Sequence, residues 1–104
     1  MTPQEAVEAV RGGAVLLDVR EDGEWTAGHA PEAVSVPMSR LTLDDVPDDV
    51  PVVCVCHVGG RSAAVTDALV RAGRDAVNLL GGMEAWAAAG LPVVDDAGRP
   101  GVVV

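Results

Sequence analysis

Short, nearly continuous apolar runs recur along the chain, and each has the length and composition of a buried strand. They are rich in valine and leucine and carry almost no polar positions, which is typical of parallel strands covered on both faces. The predicted strands are residues 14–19, 34–36, 52–56 and 76–80. A further run at 91–94 is a candidate for a fifth short strand.

Amphipathic segments lie between these runs and predict helices. The clearest begins near the N-terminus, where Thr2 is a candidate N-cap, Pro3 the first helical residue and Glu5 the capping-box partner. The other predicted helices are a short turn around Glu24 and Trp25, a short helix within 41–46, a helix over 62–71 and a helix over 83–89. Glycines close the longer ones, as expected at helix C-termini.

Strands that alternate with helices imply right-handed crossovers, so the pattern predicts an α/β fold. We expect a mainly parallel sheet of four to five strands with helices on both faces. The 104 residues suit one domain. Residues 95–104 form a C-terminal tail whose valines are expected either to add an edge strand or to fray.

Charge and composition exclude several classes of function. The net charge is −9 and the chain has no lysine, which removes a phosphate loop ending in Gly-Lys and lysine Schiff-base chemistry. Nucleic acid and anionic membranes are not expected as partners, because both need a basic patch. No apolar stretch has the length of a membrane span and no basic-then-apolar leader is visible, so we expect a cytoplasmic location.

The most informative stretch is CHVGGRS, residues 56–62, which follows the third apolar run. Active sites in parallel α/β sheets lie at the carboxyl ends of strands, where this pattern places Cys56. We expect Gly59 and Gly60 to turn backbone N–H groups inward, beside a helix N-terminus and the cation of Arg61. These features favour a thiolate, so Cys56 is predicted to be a nucleophile.

The residues alone leave three other interpretations of this cysteine open. Cys56 can be an inert buried thiol, since free cysteine is often buried. Cys54, Cys56 and His57 can bind zinc, although a second ligand pair is missing from the spacing. The loop can also bind an oxyanion without covalent chemistry.

Three motifs in order resemble the rhodanese domains. CHVGGRS resembles their active-site loop, which has a cysteine, two variable residues, glycine, one variable residue and Arg-Ser. LLDVREDGEWTAGHAPEAVSVP is similar to the first signature of the family, and NLLGGMEAWAAAGLPV to its closing signature. The motifs cover roughly residues 3–94, and their agreement is stronger than any one of them. The chain is identified as a single-domain rhodanese, which implies a three-layer α/β sandwich.

The resemblance implies sulfur transfer through a persulfide on Cys56, with no metal and no organic cofactor. The donor is a small sulfane compound (thiosulfate or a polysulfide) or a protein persulfide, and the acceptor is a thiol or cyanide. A sulfur-relay protein is a further candidate partner. The residues implied to bind the persulfide are His57, Val58, Gly59, Gly60, Arg61 and Ser62.

Asp18, Arg20 and His29 match the first signature and are predicted to support the site. Asp18 and Arg20 are expected to brace neighbouring loops through an ion pair or hydrogen bonds. A loop-bracing hydrogen bond is also favoured for His29 over a titrating base. Trp25 and Trp86 are expected to be packing anchors.

Two loop features bear on the donor and on redox chemistry. His57 occupies a position where many thiosulfate-using rhodanese domains carry a second arginine, which weakens the case for a dianionic donor. In an acidic protein we therefore expect weak use of thiosulfate. Cys54 lies one strand period before Cys56, and core packing is favoured for it over a role as resolving thiol.

Alternative functions stay open at this stage. Related phosphatases and arsenate reductases carry one more residue between cysteine and arginine, whereas four residues separate Cys56 from Arg61 here. A non-catalytic rhodanese-like module that only binds a partner is the main competitor. The cysteine and arginine favour the enzyme, because inactive members usually lack the cysteine.

Overall fold

The computed structural model describes residues 1–104 and contains one four-stranded parallel sheet. The strand order is β2-β1-β3-β4, so β1 and β3 are central. The strands are β1 (Val15–Asp18), β2 (Val34–Ser35), β3 (Val52–Val55) and β4 (Ala76–Asn78). All neighbouring pairs are parallel, which confirms the predicted α/β class.

Four helices and one 3₁₀ turn accompany the strands. They are α1 (Pro3–Arg11), α2 (Asp22–Ala27), the 3₁₀ turn (Leu43–Asp45), α3 (Gly60–Arg71) and α4 (Gly82–Ala88). Helix α1 precedes β1, α4 follows β4, and the others lie between strands. The predicted capping box starts α1: the Glu5 N–H donates to Thr2 Oγ1 at 3.2 Å, and the Thr2 N–H donates to the Glu5 carboxylate at 2.9 Å. No helix has the length and apolar character needed to cross a membrane.

Alternate residues of the central strands feed two hydrophobic cores on opposite faces of the sheet. Leu16 and Val53 face one side, while Leu17 and Cys54 face the other. The first core also contains Ala6 of α1, Leu79, and Met83 and Trp86 of α4. The second contains Cys56 and the α3 residues Val65 and Leu69. This alternation follows from the two-residue period of a strand and produces the three layers.

The predicted fifth strand is wrong. Residues 91–94 do not join the sheet; Val94 instead makes isolated antiparallel bridges with His29 and Pro100. Pro92 has no N–H to donate to a ladder. The backbone groups at the carboxyl end of β4 are already engaged, because the Met1 amino group donates to Asn78 O and the Leu80 N–H donates to Met1 O.

The C-terminal tail neither frays nor adds an edge strand to the sheet. It folds back over residues 27–29, where the Val102 N–H donates to Ala27 O at 3.0 Å. The neighbouring Gly101 N–H donates to Val93 O at 2.9 Å. Gly28 and Gly101 make this approach possible: a Cβ on Gly101 would lie 2.8 Å from Ala27 O. The tail therefore braces the segment that follows α2.

Candidate active site

The cysteine of the opening motif lies at the carboxyl edge of the sheet, at the junction of β3 and α3. β3 ends at Val55, Cys56 follows it directly, and α3 begins at Gly60. Cys56 is 1% exposed, so its thiol forms the floor of the loop. Residues 56–59 are the whole connection between strand and helix, which places the sulfur beside the first turn of α3.

Three donors converge on Cys56 Sγ. The Gly59 N–H lies 3.1 Å from the sulfur, the Ser62 N–H 3.4 Å and the Ser62 hydroxyl 3.2 Å. Ser62 Oγ also lies 3.3 Å from Gly59 O, and its single proton serves one acceptor at a time. Two backbone N–H groups remain on the sulfur in either orientation. Donors of this kind stabilise an anionic sulfur more than a neutral thiol.

The two cysteines have opposite pKa shifts. Burial raises the pKa of Cys56, but the hydrogen bonds from the Ser62 hydroxyl and from the N–H groups of Ser62 and Gly59, together with the nearby Arg61 N–H, outweigh burial and lower the pKa below its ordinary value. Burial raises the pKa of Cys54, and a hydrogen bond from Thr66 only partly offsets it. The structure therefore distinguishes a thiol prone to ionise from one that stays protonated in the core.

Helix α4 and strand β4 hold the loop from the other side. The Met83 N–H donates to Cys56 O at 2.8 Å and the Glu84 N–H donates to His57 O at 3.0 Å. The Asn78 side-chain amide donates to Gly59 O at 3.1 Å. Because its carbonyls are fixed in this way, the loop presents its N–H groups to the sulfur without rearranging.

Glycine is required at two positions around this loop, and one prediction about glycine is corrected. Gly59 has φ +112°, a left-handed conformation that turns its N–H toward Cys56. Gly60 is instead the first residue of α3 and has no positive φ, because the turn is completed one residue earlier than expected. Gly82 has φ +60°, and a Cβ there would overlap the carbonyl oxygens of Cys56 and His57.

Glu24 is a site residue that the sequence patterns did not single out. Its carboxylate forms a bidentate ion pair with Arg61, with both N–O distances at 2.7 Å. The Arg61 hydrogen bonds lower the pKa of Glu24 to about 2, and the same pair raises the pKa of Arg61. The sequence predicts Arg61 as a cation beside the loop, and the structure adds this carboxylate partner. The signal that could have revealed its partner was the Glu-Trp pair of the first signature, 37 residues earlier.

The remaining loop residues differ in exposure. His57 is 36% exposed in its side chain, and its Nε2 lies 3.5 Å from a carboxylate oxygen of Glu84. Val58 at the tip of the loop is 60% exposed, whereas Ser62 is fully buried beneath it. The loop therefore offers an imidazole and an apolar side chain to an approaching molecule, above a buried hydroxyl.

The predicted supporting residues lie beside the site and make no hydrogen bond to Cys56. Arg20 is fully buried; its guanidinium pairs with Asp18 at 2.8 Å and donates to Gly28 O at 2.8 Å. His29 Nδ1 lies 2.7 Å from Trp25 O, and the two rings stack with centroids 3.6 Å apart. These contacts join the end of β1 to the α2 segment that carries Glu24.

No group of three or more histidine, cysteine or acidic side chains is arranged to hold a metal ion. Cys54 faces Thr66 inside the core, and His57 faces Glu84 outside it. The C-x-C-H spacing thus does not produce a zinc site in this fold.

We expect the two cysteines to differ in alkylation rate. Near neutral pH, iodoacetamide should label Cys56 at least about tenfold faster than Cys54, because the thiolate is the reactive form and only Cys56 has a lowered pKa. Peptide mapping after short exposures measures this ratio, with Cys54→Ala as the control for assignment. Labelling of Cys54 first would contradict the proposed roles of the two thiols.

Comparisons with known proteins agree with the geometry. A family model described as rhodanese-like domain matches residues 2–89. A protein named sulfurtransferase from Allochromatium vinosum is 37% identical over 87 residues, which span 81% of each chain. A protein named thiosulfate sulfurtransferase GlpE from Haemophilus influenzae is 32% identical over 96 residues, 89% of this chain and 91% of that one.

Solved structures show the same fold. The crystal structure of a rhodanese-related protein from Thermoplasma volcanium superposes with a TM-score of 0.83 at 29% sequence identity. The match covers 90% of this chain and 95% of the other.

Proposed function

Because this chain belongs to the rhodanese-like sulfurtransferase family, we propose that it moves a sulfane sulfur from a donor to an acceptor through a persulfide on Cys56. The family was expected from the three sequence motifs, and the comparisons confirm it. The observation that carries the proposal is the convergence of the Gly59 and Ser62 donors on Cys56 Sγ. These donors favour the Cys56 thiolate, which is the form that attacks the outer sulfur of the donor.

In the first half-reaction, the Cys56 thiolate attacks the outer sulfur of the donor. A new S–S bond forms, the donor's own sulfur–sulfur bond breaks, and the departing group keeps the electron pair. With thiosulfate the departing group is sulfite; with a persulfide it is a thiolate. Cys56 is 1% exposed, so a donor must reach the floor of the loop with a terminal, unhindered sulfur atom.

In the second half-reaction, a nucleophilic acceptor takes the outer sulfur and leaves Cys56 as the thiolate again. Cyanide yields thiocyanate, and a thiol yields a new persulfide. The two steps are ping-pong covalent catalysis and need no metal or organic cofactor. The natural acceptor we propose is a thiol, carried by a small molecule or by a sulfur-relay protein.

Two features disfavour the phosphatase and arsenate reductase alternative. The four residues between Cys56 and Arg61 make a shorter loop than those enzymes use for a tetrahedral oxyanion. The three donors also converge on the sulfur that attacks the donor molecule, where they stabilise the nucleophilic thiolate. A module that only binds a partner would not require the lowered pKa of Cys56.

Initial-rate kinetics test this mechanism. With an alkyl hydropersulfide as donor and cyanide as acceptor, we expect double-reciprocal plots at several cyanide concentrations to be parallel, because the donor's leaving group departs before cyanide reacts. Cys54→Ala should give the same pattern at a similar rate, since Cys54 lies in the core. Intersecting lines would indicate a ternary complex and contradict a free Cys56 persulfide.

A further inference from the structure

Both the arginine and the histidine of the active-site loop already face a carboxylate. Arg61 is held by Glu24 through two contacts of 2.7 Å. His57 Nε2 lies 3.5 Å from Glu84. The loop therefore presents little net positive charge to an incoming molecule, although its sequence contains an arginine and a histidine.

Two arginines close to the segment that carries Glu24 do not supply the missing charge. Arg20 is fully buried against Asp18, and the exposed Arg40 pairs with Asp22 at 3.1 Å. The Cys56 thiolate and the Glu21 carboxylate add negative charge to the same region, and Glu21 acts electrostatically on Arg61. Around the loop the carboxylates of Glu21, Glu24 and Glu84 therefore outnumber the single guanidinium of Arg61, in line with the net charge of −9 of the whole protein.

Glu84 is the carboxylate best placed to act on a donor. It lies in the first turn of α4, and its backbone N–H is fixed to His57 O at 3.0 Å, one residue from Cys56. Its side chain is 69% exposed, and its carboxylate lies beside the imidazole of the loop residue His57. Glu24, by contrast, is engaged on both oxygens by Arg61.

The charge on the donor determines how strongly these carboxylates matter. Attack of the thiolate on thiosulfate brings three negative charges together, and sulfite leaves with two of them. Attack on a hydropersulfide, R–S–SH, involves only the charge of the thiolate. The products are first the neutral Cys56 hydropersulfide and RS⁻, and a proton then passes from the first to the second. Atoms and charge balance in both reactions, and neither needs an oxidant or a reductant.

We propose that Glu84 is a specificity-determining residue that disfavours dianionic donors, and that the donor class of this protein is a persulfide with at most one negative charge. The inference rests on the proposed sulfur transfer through Cys56. It assigns to Glu84 a role in selecting the donor and none in the chemistry at sulfur.

The test compares Glu84→Gln with Glu8→Gln on two donors. Glu8 is similarly exposed and forms an ion pair with Arg11 on α1, so its substitution changes the net charge equally, away from the loop. At low ionic strength, Glu84→Gln should raise kcat/KM for thiosulfate about fivefold, mainly through KM, and added salt should shrink this gain. The rate with an alkyl hydropersulfide should change less than about twofold, and Glu8→Gln should change neither rate.

Equal acceleration with both donors, or no difference between the two variants, would overturn the role of Glu84. A wild-type kcat/KM for thiosulfate equal to that for the hydropersulfide, with no gain in Glu84→Gln, would overturn the donor class. If the proposed function itself is wrong, a different result is expected. Intact-mass spectra of the wild type and of both variants would then show no sulfur added to Cys56 from either donor.

Discussion

Cys56→Ser is expected to remove sulfur transfer, with a loss of at least about 1,000-fold in kcat for any donor. A serine hydroxyl cannot form a persulfide, so the covalent intermediate has no site. No second thiol substitutes for Cys56, because Cys54 is fully buried and burial raises its pKa. Thiocyanate formation from each donor and cyanide measures the loss.

The fold should survive this substitution. The Gly59 and Ser62 donors that face Cys56 Sγ can bond a serine oxygen, so we expect the free energy of unfolding to change by less than about 1 kcal/mol. Cys54→Ser is the matched control, since it makes the same sulfur-to-oxygen replacement at a core position and leaves the active-site loop intact. Retention of more than trace activity in purified Cys56→Ser would refute the assignment of the nucleophile.

Arg61→Ala is expected to lower kcat/KM by about 100-fold, which corresponds to roughly 2.7 kcal/mol of transition-state stabilisation. The guanidinium interacts electrostatically with Cys56, and its removal also leaves the Glu24 carboxylate without its arginine partner. The loss of stability should be only about 1 kcal/mol, because the Arg61 side chain is 38% exposed. Steady-state kinetics and urea unfolding of the same preparation separate the two effects.

Glu24→Gln distinguishes a charge role of Arg61 from a bracing role. If the guanidinium acts by its charge, Glu24→Gln costs less than about tenfold, and adding it to Arg61→Ala restores part of the lost rate. The double variant is informative because both side chains belong to one ion pair. Equal losses in Glu24→Gln and Arg61→Ala, matched by equal losses of stability, would make the pair a structural brace.

The local signals of the chain predict most of the fold. The apolar runs at 14–19, 34–36, 52–56 and 76–80 each contain a strand, and the capping box at Thr2 fixes the start of α1. These signals are local, so they persist in the folded protein. The segment 91–94 shows their limit: it has the composition of a strand, but Met1 occupies the backbone groups beyond β4, and Val94 pairs with His29 instead.

In the active site, too, the features set by local sequence are predictable and those set by contacts between distant segments are not. The position of Cys56 and the turn at Gly59 are determined within seven residues, and the motif 56–62 predicts both. The partners of the loop cations are not local. Glu24 reaches Arg61 across 37 residues because α2 lies beside the loop, and Glu84 reaches His57 because Gly82 allows α4 to approach. The sequence alone therefore predicts the nucleophile, whereas the ion-pair partners of the loop residues are known only from the structure.

The most direct test of the account is the mass of the protein after incubation with a sulfur donor. We predict that an alkyl hydropersulfide or a polysulfide adds one sulfur atom to the wild type, that peptide mapping places it on Cys56, and that cyanide removes it as thiocyanate. Cys54→Ala should gain the same atom and Cys56→Ser should gain none. A wild type that gains no sulfur from any donor, or carries it on Cys54, would contradict sulfur transfer through Cys56.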